Sequence, residues 1–273
     1  MALITVNMFS DVLNRSVMVN VIYPSDAHFI AGKPVPLCKK PLKTLYLLHG
    51  ILNNHNDWVI RTRIQEIAYA HNLCVVMPSG ENKFYSNSDI SGDRFGDYIS
   101  KELVEFIQRT FHVSKAREDT FIGGLSMGGF GAITNGLRNP DTFSRIVAFS
   151  SYLLKPVVLS IGDEPDVCRH NQRHYLTMFG IEKPEDFIGS ENDFEFLADQ
   201  LASSGKDLPK IYMSAGTEDP YFWMSEQFQE RLVKNGYDVT WVPQPGGHNY
   251  GFWDMAIEQV MDWLPLADCV PWE

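Results

Sequence analysis

Apolar residues recur at every second position near the start of the chain. Every second residue from Val17 to Tyr23 lies on one strongly apolar face, which is the spacing of a β-strand. We therefore predict two antiparallel strands in this N-terminal part. The segment 24–41 carries four prolines and one glycine, and we predict a loop there.

Beyond residue 43, short apolar runs alternate with stretches whose apolar residues recur every three or four positions. The short runs have the length of buried strands, and the longer stretches have the period of amphipathic helices. Such alternation predicts an α/β fold, with a mostly parallel central sheet, helices on both faces, and ligands beyond the carboxyl ends of the strands. The predicted strands are 44–48, 73–77, 120–123, 146–149, 211–215 and 237–242, and the predicted helices cover 62–71, 99–110, 130–137, 224–235 and 252–264.

The segment 152–209 interrupts this rhythm, because it is mostly polar and carries only short apolar patches. A chain of 273 residues is long enough for one α/β domain and does not require two. We therefore predict a single domain over 1–273, with a cap-like insertion at about 152–209 that covers the strand ends and shapes the substrate site.

The charge balance restricts the partners. The chain has 23 Lys and Arg against 34 Asp and Glu, a net charge of −11. Such a chain repels phosphate backbones and anionic membranes, so neither nucleic acid nor a membrane is an expected partner. No apolar run approaches the roughly 20 residues that span a bilayer, and the first residues lack the features of a signal peptide. These observations favour a cytoplasmic protein.

The four cysteines are widely spaced and form no CxxC pair. This spacing is typical of free thiols in a reducing compartment. Cys168, His170 and His174 lie close together in sequence and suggest zinc, but three ligands without a fourth are weak support. We expect no metal and no cofactor.

The strongest chemical signal is the motif Gly-Leu-Ser-Met-Gly at 124–128. It follows the predicted strand 120–123 and opens the predicted helix 130–137, which is the strand–turn–helix arrangement of a nucleophile elbow. The glycines permit a tight turn, and the start of the helix offers free N–H groups where negative charge would develop. Ser126 is therefore the predicted nucleophile, and a phosphate-binding glycine turn is the alternative.

A serine nucleophile needs an adjacent base and an acid, which follow it in the order acid, histidine in this kind of fold. His248 fits the base, because it lies in a glycine-rich loop directly before the C-terminal helix. The acid should follow the strand 211–215, which runs into Gly-Thr-Glu-Asp-Pro. We prefer Asp219, because the proline after it favours an extended backbone, and Glu218 is the alternative.

An oxyanion hole needs two N–H donors. The residue after the nucleophile, Met127, supplies one backbone N–H. The other should come from the loop after strand 44–48, and we select the Ile51 N–H, with Leu52 as the neighbouring alternative. His49 precedes the serine, so we expect it to shape this loop and not to act as the base.

Aromatic residues near these loops are candidates for the substrate pocket. We select Trp58 and Tyr152, and packing in the core is the competing interpretation for each aromatic residue of the set. The whole set is Trp58, Phe130, Tyr152 and Tyr250.

Together these motifs resemble the putative-esterase family of α/β-hydrolases, which includes tributyrin esterases, cinnamoyl and feruloyl esterases, S-formylglutathione hydrolases and secreted mycolyl transferases. The resemblance spans 43–263 and implies an α/β-hydrolase fold, a tendency to form homo-oligomers and the same catalytic residues, Ser126, Asp219 and His248, with oxyanion amides at Ile51 and Met127. It rests on Leu-His-Gly at 48–50, the Trp58 segment, Val-Met-Pro at 76–78, the serine motif at 124–129, Gly-Thr-Glu-Asp at 216–219 and Gly-Gly-His-Asn at 246–249.

The sequence thus predicts a serine carboxylesterase that hydrolyses short-chain acyl esters, small-molecule substrates, through an acyl-enzyme. A feruloyl or cinnamoyl esterase would need a flat aromatic slot under the cap. An S-formylglutathione hydrolase would need cationic groups for the glutathione carboxylates, and the net charge of −11 argues mildly against it. A secreted acyltransferase would need an export signal, and a catalytically dead hydrolase fold would serve as a binding module.

Overall fold

The computed structural model describes residues 2–25, 28–30, 33–35 and 40–266. Its strands are β1 (Ala2–Ser10), β2 (Arg15–Tyr23), β3 (His28–Ile30), β4 (Lys33–Val35), β5 (Thr44–Leu48), β6 (Cys74–Pro78), β7 (Thr120–Leu125), β8 (Arg145–Phe149), β9 (Lys210–Gly216) and β10 (Val239–Gln244). Its α-helices are α1 (Asp57–Arg61), α2 (Ile64–Ala70), α3 (Phe95–Asp97), α4 (Leu103–Thr110), α5 (Met127–Arg138), α6 (Lys155–Ser160), α7 (Gln172–Phe179), α8 (Phe194–Ala202), α9 (Phe222–Lys234) and α10 (Tyr250–Trp263). A π-helical turn, Tyr98–Glu102, joins α3 to α4, and 3-10 turns cover Arg117–Asp119 and Pro184–Phe187.

The main sheet runs in the order β1-β2-β6-β5-β7-β8-β9-β10. The pairs β1–β2 and β2–β6 are antiparallel, and the pairs from β6 to β10 are parallel. The predicted mostly parallel sheet with antiparallel N-terminal strands is therefore confirmed. Every residue of β5, β6 and β7 is buried, as expected for parallel strands covered on both faces.

A hydrophobic core lies on each face of the sheet. One core contains Ile107 of α4, Ile133 of α5 and Leu232 of α9. The other contains Ile67 of α2 and Ile257 of α10. Because helices cover both faces, the central strands are buried on both sides, and the carboxyl ends of β5 to β10 form the edge where loops meet.

Two predictions about individual elements were wrong. The segment predicted as a loop contains β3 and β4, which pair antiparallel with Phe29 opposite Pro34. A proline is tolerated there because this pair stands apart from the main sheet and needs no continuous ladder. The predicted helix 62–71 is α2, but a separate short helix, α1, precedes it and was not predicted.

The segment between β8 and β9 contains α6, α7 and α8. The Phe194 ring at the start of α8 contacts Phe130 of α5 and Phe228 of α9, with ring centroids 6.2 and 4.8 Å apart. The Met178 carbonyl in α7 accepts a hydrogen bond from the Ser86 hydroxyl, in the loop after β6, at 3.3 Å. The start of α8 thus packs on α5 and α9, which cover one face of the sheet. Helix α7 lies against the loop that follows the carboxyl end of β6. Within the described residues, no helix is both long and apolar enough to cross a membrane.

Candidate active site

Ser126 occupies the turn between β7 and α5 in a strained conformation. Its φ of 53° and ψ of −115° are uncommon for a residue with a side chain and persist only where the surroundings impose them. The Ser126 N–H donates to the Phe149 carbonyl at 2.9 Å. The Ser126 carbonyl accepts the N–H groups of Phe130 at 3.1 Å and Tyr152 at 3.2 Å. These bonds fix the turn, so the hydroxyl points away from the sheet end.

Two glycines of the motif are required by close backbone contacts. A Cβ on Gly124 would lie 2.4 Å from the Gly128 carbonyl oxygen, and a Cβ on Gly128 would lie 2.4 Å from the Leu48 carbonyl oxygen. Real Cβ atoms do not approach backbone oxygens this closely, so only glycine fits. The turn is therefore in close contact with the end of β5, the strand that precedes the loop with the predicted oxyanion donor Ile51.

Ser126, His248 and Asp219 form one continuous line of hydrogen bonds. His248 Nε2 lies 2.9 Å from Ser126 Oγ, and His248 Nδ1 lies 2.7 Å from Asp219 Oδ2. The Asp219 side chain is fully buried, whereas that of His248 is 22% exposed. Glu218, the alternative acid, is exposed to solvent. The structure thus brings together the three residues that the sequence selected.

The pKa of Asp219 lies below its ordinary value. Burial alone would raise this pKa, but the hydrogen bond and charge of His248 and the Tyr221 N–H, which donates at 2.8 Å, outweigh burial. The carboxylate is therefore ionised at neutral pH and accepts the Nδ1–H of His248. This fixes the tautomer of a neutral imidazole, so its unprotonated Nε2 faces the serine hydroxyl.

The loop that carries His248 is locked against the loop that carries Asp219. The Glu218 N–H donates to the Gly246 carbonyl at 3.0 Å, and Gly246 has a φ of 140°, which favours glycine. The imidazole makes T-shaped contacts with two aromatic rings, with centroids 5.3 Å from Tyr221 and 5.0 Å from Trp253. Sequence reasoning missed both rings, although Tyr221 follows the selected acid by two positions.

His49 directly follows β5, and its side chain forms hydrogen bonds that hold the loop after this strand. It is 1% exposed, and burial lowers its pKa to about 4, so the imidazole is neutral. Its Nδ1 lies 2.7 Å from the Gly50 carbonyl oxygen and must donate, while its Nε2 accepts the Gly80 N–H at 2.8 Å. The expectation that His49 shapes this loop agrees with these contacts.

The two candidate donors in this loop differ in their partners. The Leu52 N–H donates to Asn82 Oδ1 at 2.8 Å, whereas the Ile51 N–H has no acceptor among the described residues. Since His49 holds the Gly50 carbonyl, and N–H and C=O point in opposite directions across a trans peptide, the direction of the Ile51 N–H is also fixed. A Cβ on Gly50 would lie 3.6 Å from Ser126 Cβ, so this loop adjoins the serine.

The two residues selected for the pocket have different positions. Trp58 is 1% exposed, and its indole N–H donates to the Leu48 carbonyl at 3.0 Å. Trp58 therefore belongs to the core, where it supports the end of β5, and the interpretation of it as a pocket residue is corrected. Tyr152 is 6% exposed and packs on Tyr221, with ring centroids 4.6 Å apart. Tyr152 thus adjoins the ring that contacts His248.

The cysteine–histidine cluster has no metal-binding geometry. In the part of the chain that the structure describes, no group of three or more His, Cys, Asp and Glu residues is arranged to hold a metal ion. The rings of His170 and His174 stack on each other with centroids 5.6 Å apart. Cys74 and Cys168 are free thiols, while Cys38 and Cys269 lie outside the described residues.

Known proteins share this arrangement of elements and motifs. The Putative esterase family matches residues 10–264. The chain belongs to this family. It is therefore a carboxylic ester hydrolase. A relative in the family, an acetyl esterase of Caldicellulosiruptor saccharolyticus, is 34% identical over 269 residues, which cover 97% of this chain and 98% of that protein.

Solved structures of similar proteins have the same fold. The fluorophosphonate-binding serine hydrolase F of Staphylococcus aureus, in a substrate-bound form, superposes with a TM-score of 0.83 at 29% identity, over 96% of this chain and 98% of that one. The S-formylglutathione hydrolase of Staphylococcus aureus superposes with a TM-score of 0.81 at 29% identity, with the same coverage of both chains. The predicted α/β-hydrolase fold is thereby confirmed.

Proposed function

We propose that this esterase is a serine carboxylesterase of short-chain acyl esters, with Ser126 as nucleophile, His248 as general base and Asp219 as the acid that orients it. The observation that carries the proposal is the unbroken line of hydrogen bonds at 2.7 and 2.9 Å through His248. Its serine end lies on a strained turn at the start of α5, where free N–H groups and the helix dipole favour negative charge.

The proposed reaction proceeds in two halves. Ser126 Oγ attacks the ester carbonyl carbon while His248 Nε2 takes the hydroxyl proton, and the ionised Asp219 stabilises the imidazolium. The carbonyl oxygen becomes an oxyanion that accepts the N–H groups of Ile51 and Met127. The C–O bond to the alcohol then breaks as Nε2 returns its proton to the leaving oxygen. Water attacks the acyl-enzyme through the same groups and releases the acid and the free serine.

The preference for short acyl groups is supported by the relative and by the crowding around the serine. The relative that is 34% identical is an acetyl esterase. Ser126 is 7% exposed, and the packed rings of Tyr152 and Tyr221 lie beside the imidazole. We further propose that residues 152–209, which supply Tyr152, act as the cap of a single domain and limit the space for the acyl group.

Steady-state kinetics with three esters test this function. We expect p-nitrophenyl acetate and p-nitrophenyl butyrate to give a much larger kcat/KM than methyl ferulate, and Ser126→Ala to lower kcat by about 10⁴-fold or more. Comparable turnover of methyl ferulate would instead identify an aromatic slot under the cap. Near-full activity of Ser126→Ala on all esters, with no labelling of Ser126 by a fluorophosphonate, would contradict the proposal.

The choice of acid has a matched pair of variants. Asp219→Asn should lower kcat by about 10⁴-fold, because an amide reverses the tautomer of the imidazole. Glu218→Gln removes the same charge one residue away, on an exposed side chain, and should leave kcat within about twofold. A large loss in Glu218→Gln and none in Asp219→Asn would reverse the assignment.

Two further proposals concern location and assembly. The free thiols of Cys74 and Cys168 support a reducing compartment, so we propose the cytoplasm. We also propose a homo-oligomer that forms through β1. The nine residues of this edge strand include no charged residue and no proline. Charges and prolines are two features by which edge strands usually avoid pairing with another chain.

A further inference from the structure

A cavity of about 470 Å³ lies between the loop that follows β6 and the first turn of α7. Asn82 forms part of its wall, and the same side chain accepts the Leu52 N–H at 2.8 Å. Leu52 follows Ile51, the proposed oxyanion donor, so the cavity adjoins the loop that carries Ile51. The wall consists of Asn82, Lys83, His170, Asn171, Arg173, His174, Thr177 and Met178.

The lining of this cavity has the opposite charge to the molecule as a whole. The chain carries a net charge of −11, yet the wall contains Lys83, Arg173 and two histidines and no carboxylate. Arg173 is exposed and makes no ion pair with the described residues. Lys83 pairs with Asp93 at 2.8 Å, and Asp93 has a second cation, Arg15, at 3.0 Å. The wall therefore carries two cationic side chains, of which Arg173 has no carboxylate partner among the described residues.

The acid closest in sequence to the histidine pair is already engaged. Asp166 Oδ1 accepts the N–H groups of Cys168 and His170 at 2.8 and 2.9 Å, and its Oδ2 accepts the Tyr175 hydroxyl at 2.5 Å. These bonds turn the carboxylate toward its own loop and the base of α7. Asp166 therefore does not supply Arg173 with an acceptor.

Polar groups of the wall remain without a protein partner. The Nδ1 of His170 is buried and has no hydrogen-bond partner among the described residues, an exception that calls for a physical reason in a folded protein. Arg173 offers a planar fork of N–H donors that matches a carboxylate or a phosphate. The Asn82 side chain uses its oxygen for Leu52, so its amide nitrogen remains available as a donor. The cavity wall thus presents unpaired donors and the positive charge of Arg173, and contains no carboxylate.

We propose that this cavity binds an anionic group, a carboxylate or a phosphate, carried by the ester substrate at a distance from the bond that Ser126 cleaves. The inference rests on the proposed function and adds a specificity site to it. Arg173 is its main ligand, and Lys83 and Asn82 complete the binding surface. The overall negative charge of the chain slows the approach of anions. Once the ester is bound, the side chains of the cavity wall determine the strength of its interaction with the anion.

Two pairs of esters of equal size test the site at constant ionic strength. The pair p-nitrophenyl hemisuccinate and p-nitrophenyl succinamate, corrected for the p-nitrophenol released without enzyme, places the anion on the acyl side. The pair p-acetoxybenzoate and p-acetoxybenzamide places it on the alcohol side. We expect kcat/KM to be about fivefold or more higher for the anionic member of one pair, mainly through a lower KM. The pair that responds identifies which half of the ester reaches the cavity.

The variant Arg173→Gln should lower kcat/KM for the anionic member of that pair and reduce the preference to about twofold or less. Arg169→Gln removes the same charge from an exposed residue outside the wall and should keep the preference. No anion preference in either pair, or an equal preference in Arg173→Gln, would overturn the site while esterase activity stayed dependent on Ser126. Activity independent of Ser126 would instead overturn the proposed function.

Discussion

A single buried histidine controls the direction of a backbone N–H in this esterase. His49 donates from Nδ1 to the Gly50 carbonyl and accepts the Gly80 N–H at Nε2. The Tyr85 hydroxyl holds the His49 carbonyl at 3.0 Å. Because the Gly50–Ile51 peptide is planar, these contacts fix the direction of the Ile51 N–H, which we propose as an oxyanion donor. Preorganised donors stabilise the oxyanion without a reorganisation step during the reaction.

We predict that His49→Gln lowers kcat on p-nitrophenyl acetate by about 10- to 100-fold, because the flexible amide no longer fixes the Gly50 carbonyl. KM should change by less than about threefold, since the donor acts on the transition state. The half-buried His71, at the end of α2 and away from the serine, supplies the control His71→Gln. If both variants kept the wild-type kcat, His49 would have no part in positioning the donor.

The same residue makes stability depend on pH. Burial lowers the folded-state pKa of His49 to about 4 from an ordinary 6.5. Between these values the unfolded chain binds the proton and the folded chain does not, so stability is lost as pH falls. From pH 7 to 4.5 the free energy of unfolding should fall by roughly 2 kcal/mol more in the wild type than in His49→Gln. Urea unfolding at the two pH values measures this, and equal decreases would contradict it.

At the scale of elements, the turn between β7 and α5 depends on contacts that no local propensity specifies. Gly128 is required because the Leu48 carbonyl lies where its Cβ would be. A helix former at this position would favour α5 by itself. The contact with β5 overrides that preference, because the helix must begin close to the sheet for the serine to stand at its end.

We predict that Gly128→Ala lowers the free energy of unfolding by about 3 kcal/mol or more, because the backbone of β5 cannot move without disturbing the sheet. A Cβ on Gly162, in the loop after α6, would meet nothing within 4 Å. Gly162→Ala should therefore change the free energy of unfolding by less than about 0.5 kcal/mol. Equal stability of the two variants in urea would show that the turn can relax.

The elements that were mispredicted share a physical cause. The short helix α1 has Trp58 fully buried under β5, so it is stabilised by packing and not by a long amphipathic pattern. The pair β3–β4 has three residues in each strand, which is too short for a period of two to be visible. In contrast, α9 and α10 run for 13 and 14 residues and were predicted to within a few residues.

At the scale of the whole molecule, β1 is an edge of the main sheet, and no other strand of the described residues pairs with its outer side. Its residues Leu3, Thr5, Asn7 and Phe9 are exposed, and its backbone groups on the outer side are open to pairing. We predict that light scattering of the wild type shows an oligomer and that Asn7→Lys shifts the mass toward the monomer, because like charges would meet across a two-fold axis.

The test of this edge includes a charge control at a distance. Lys substituted for the exposed Glu230 of α9 changes the net charge without touching β1, so Glu230→Lys should keep the wild-type mass. A monomeric wild type, or an equal mass for wild type and Asn7→Lys, would contradict self-association through β1. In either case the kinetics of the three esters can be measured on the same preparations.

The sequence by itself determined the alternation of the long strands and helices of the main sheet and the type of residue at each strand end. Periodicity records which side of an element is buried, and the glycines around Ser126, the acid after β9 and the histidine before α10 are each visible locally. For that reason the α/β fold and the three residues of the hydrogen-bonded line could be predicted from the chain alone.

Only the tertiary structure decided what depends on distance between segments far apart in sequence. It showed that Trp58 belongs to the core and not to the pocket, because this side chain packs on β5. It also showed that the Leu52 N–H donates to Asn82, 30 residues away in sequence. It also assembled a cationic cavity from Lys83 and Arg173 in an acidic chain. Composition and local pattern do not contain the distances between residues that are far apart in sequence. Electrostatic interactions and hydrogen bonds depend on those distances, because they act between the atoms that folding brings together.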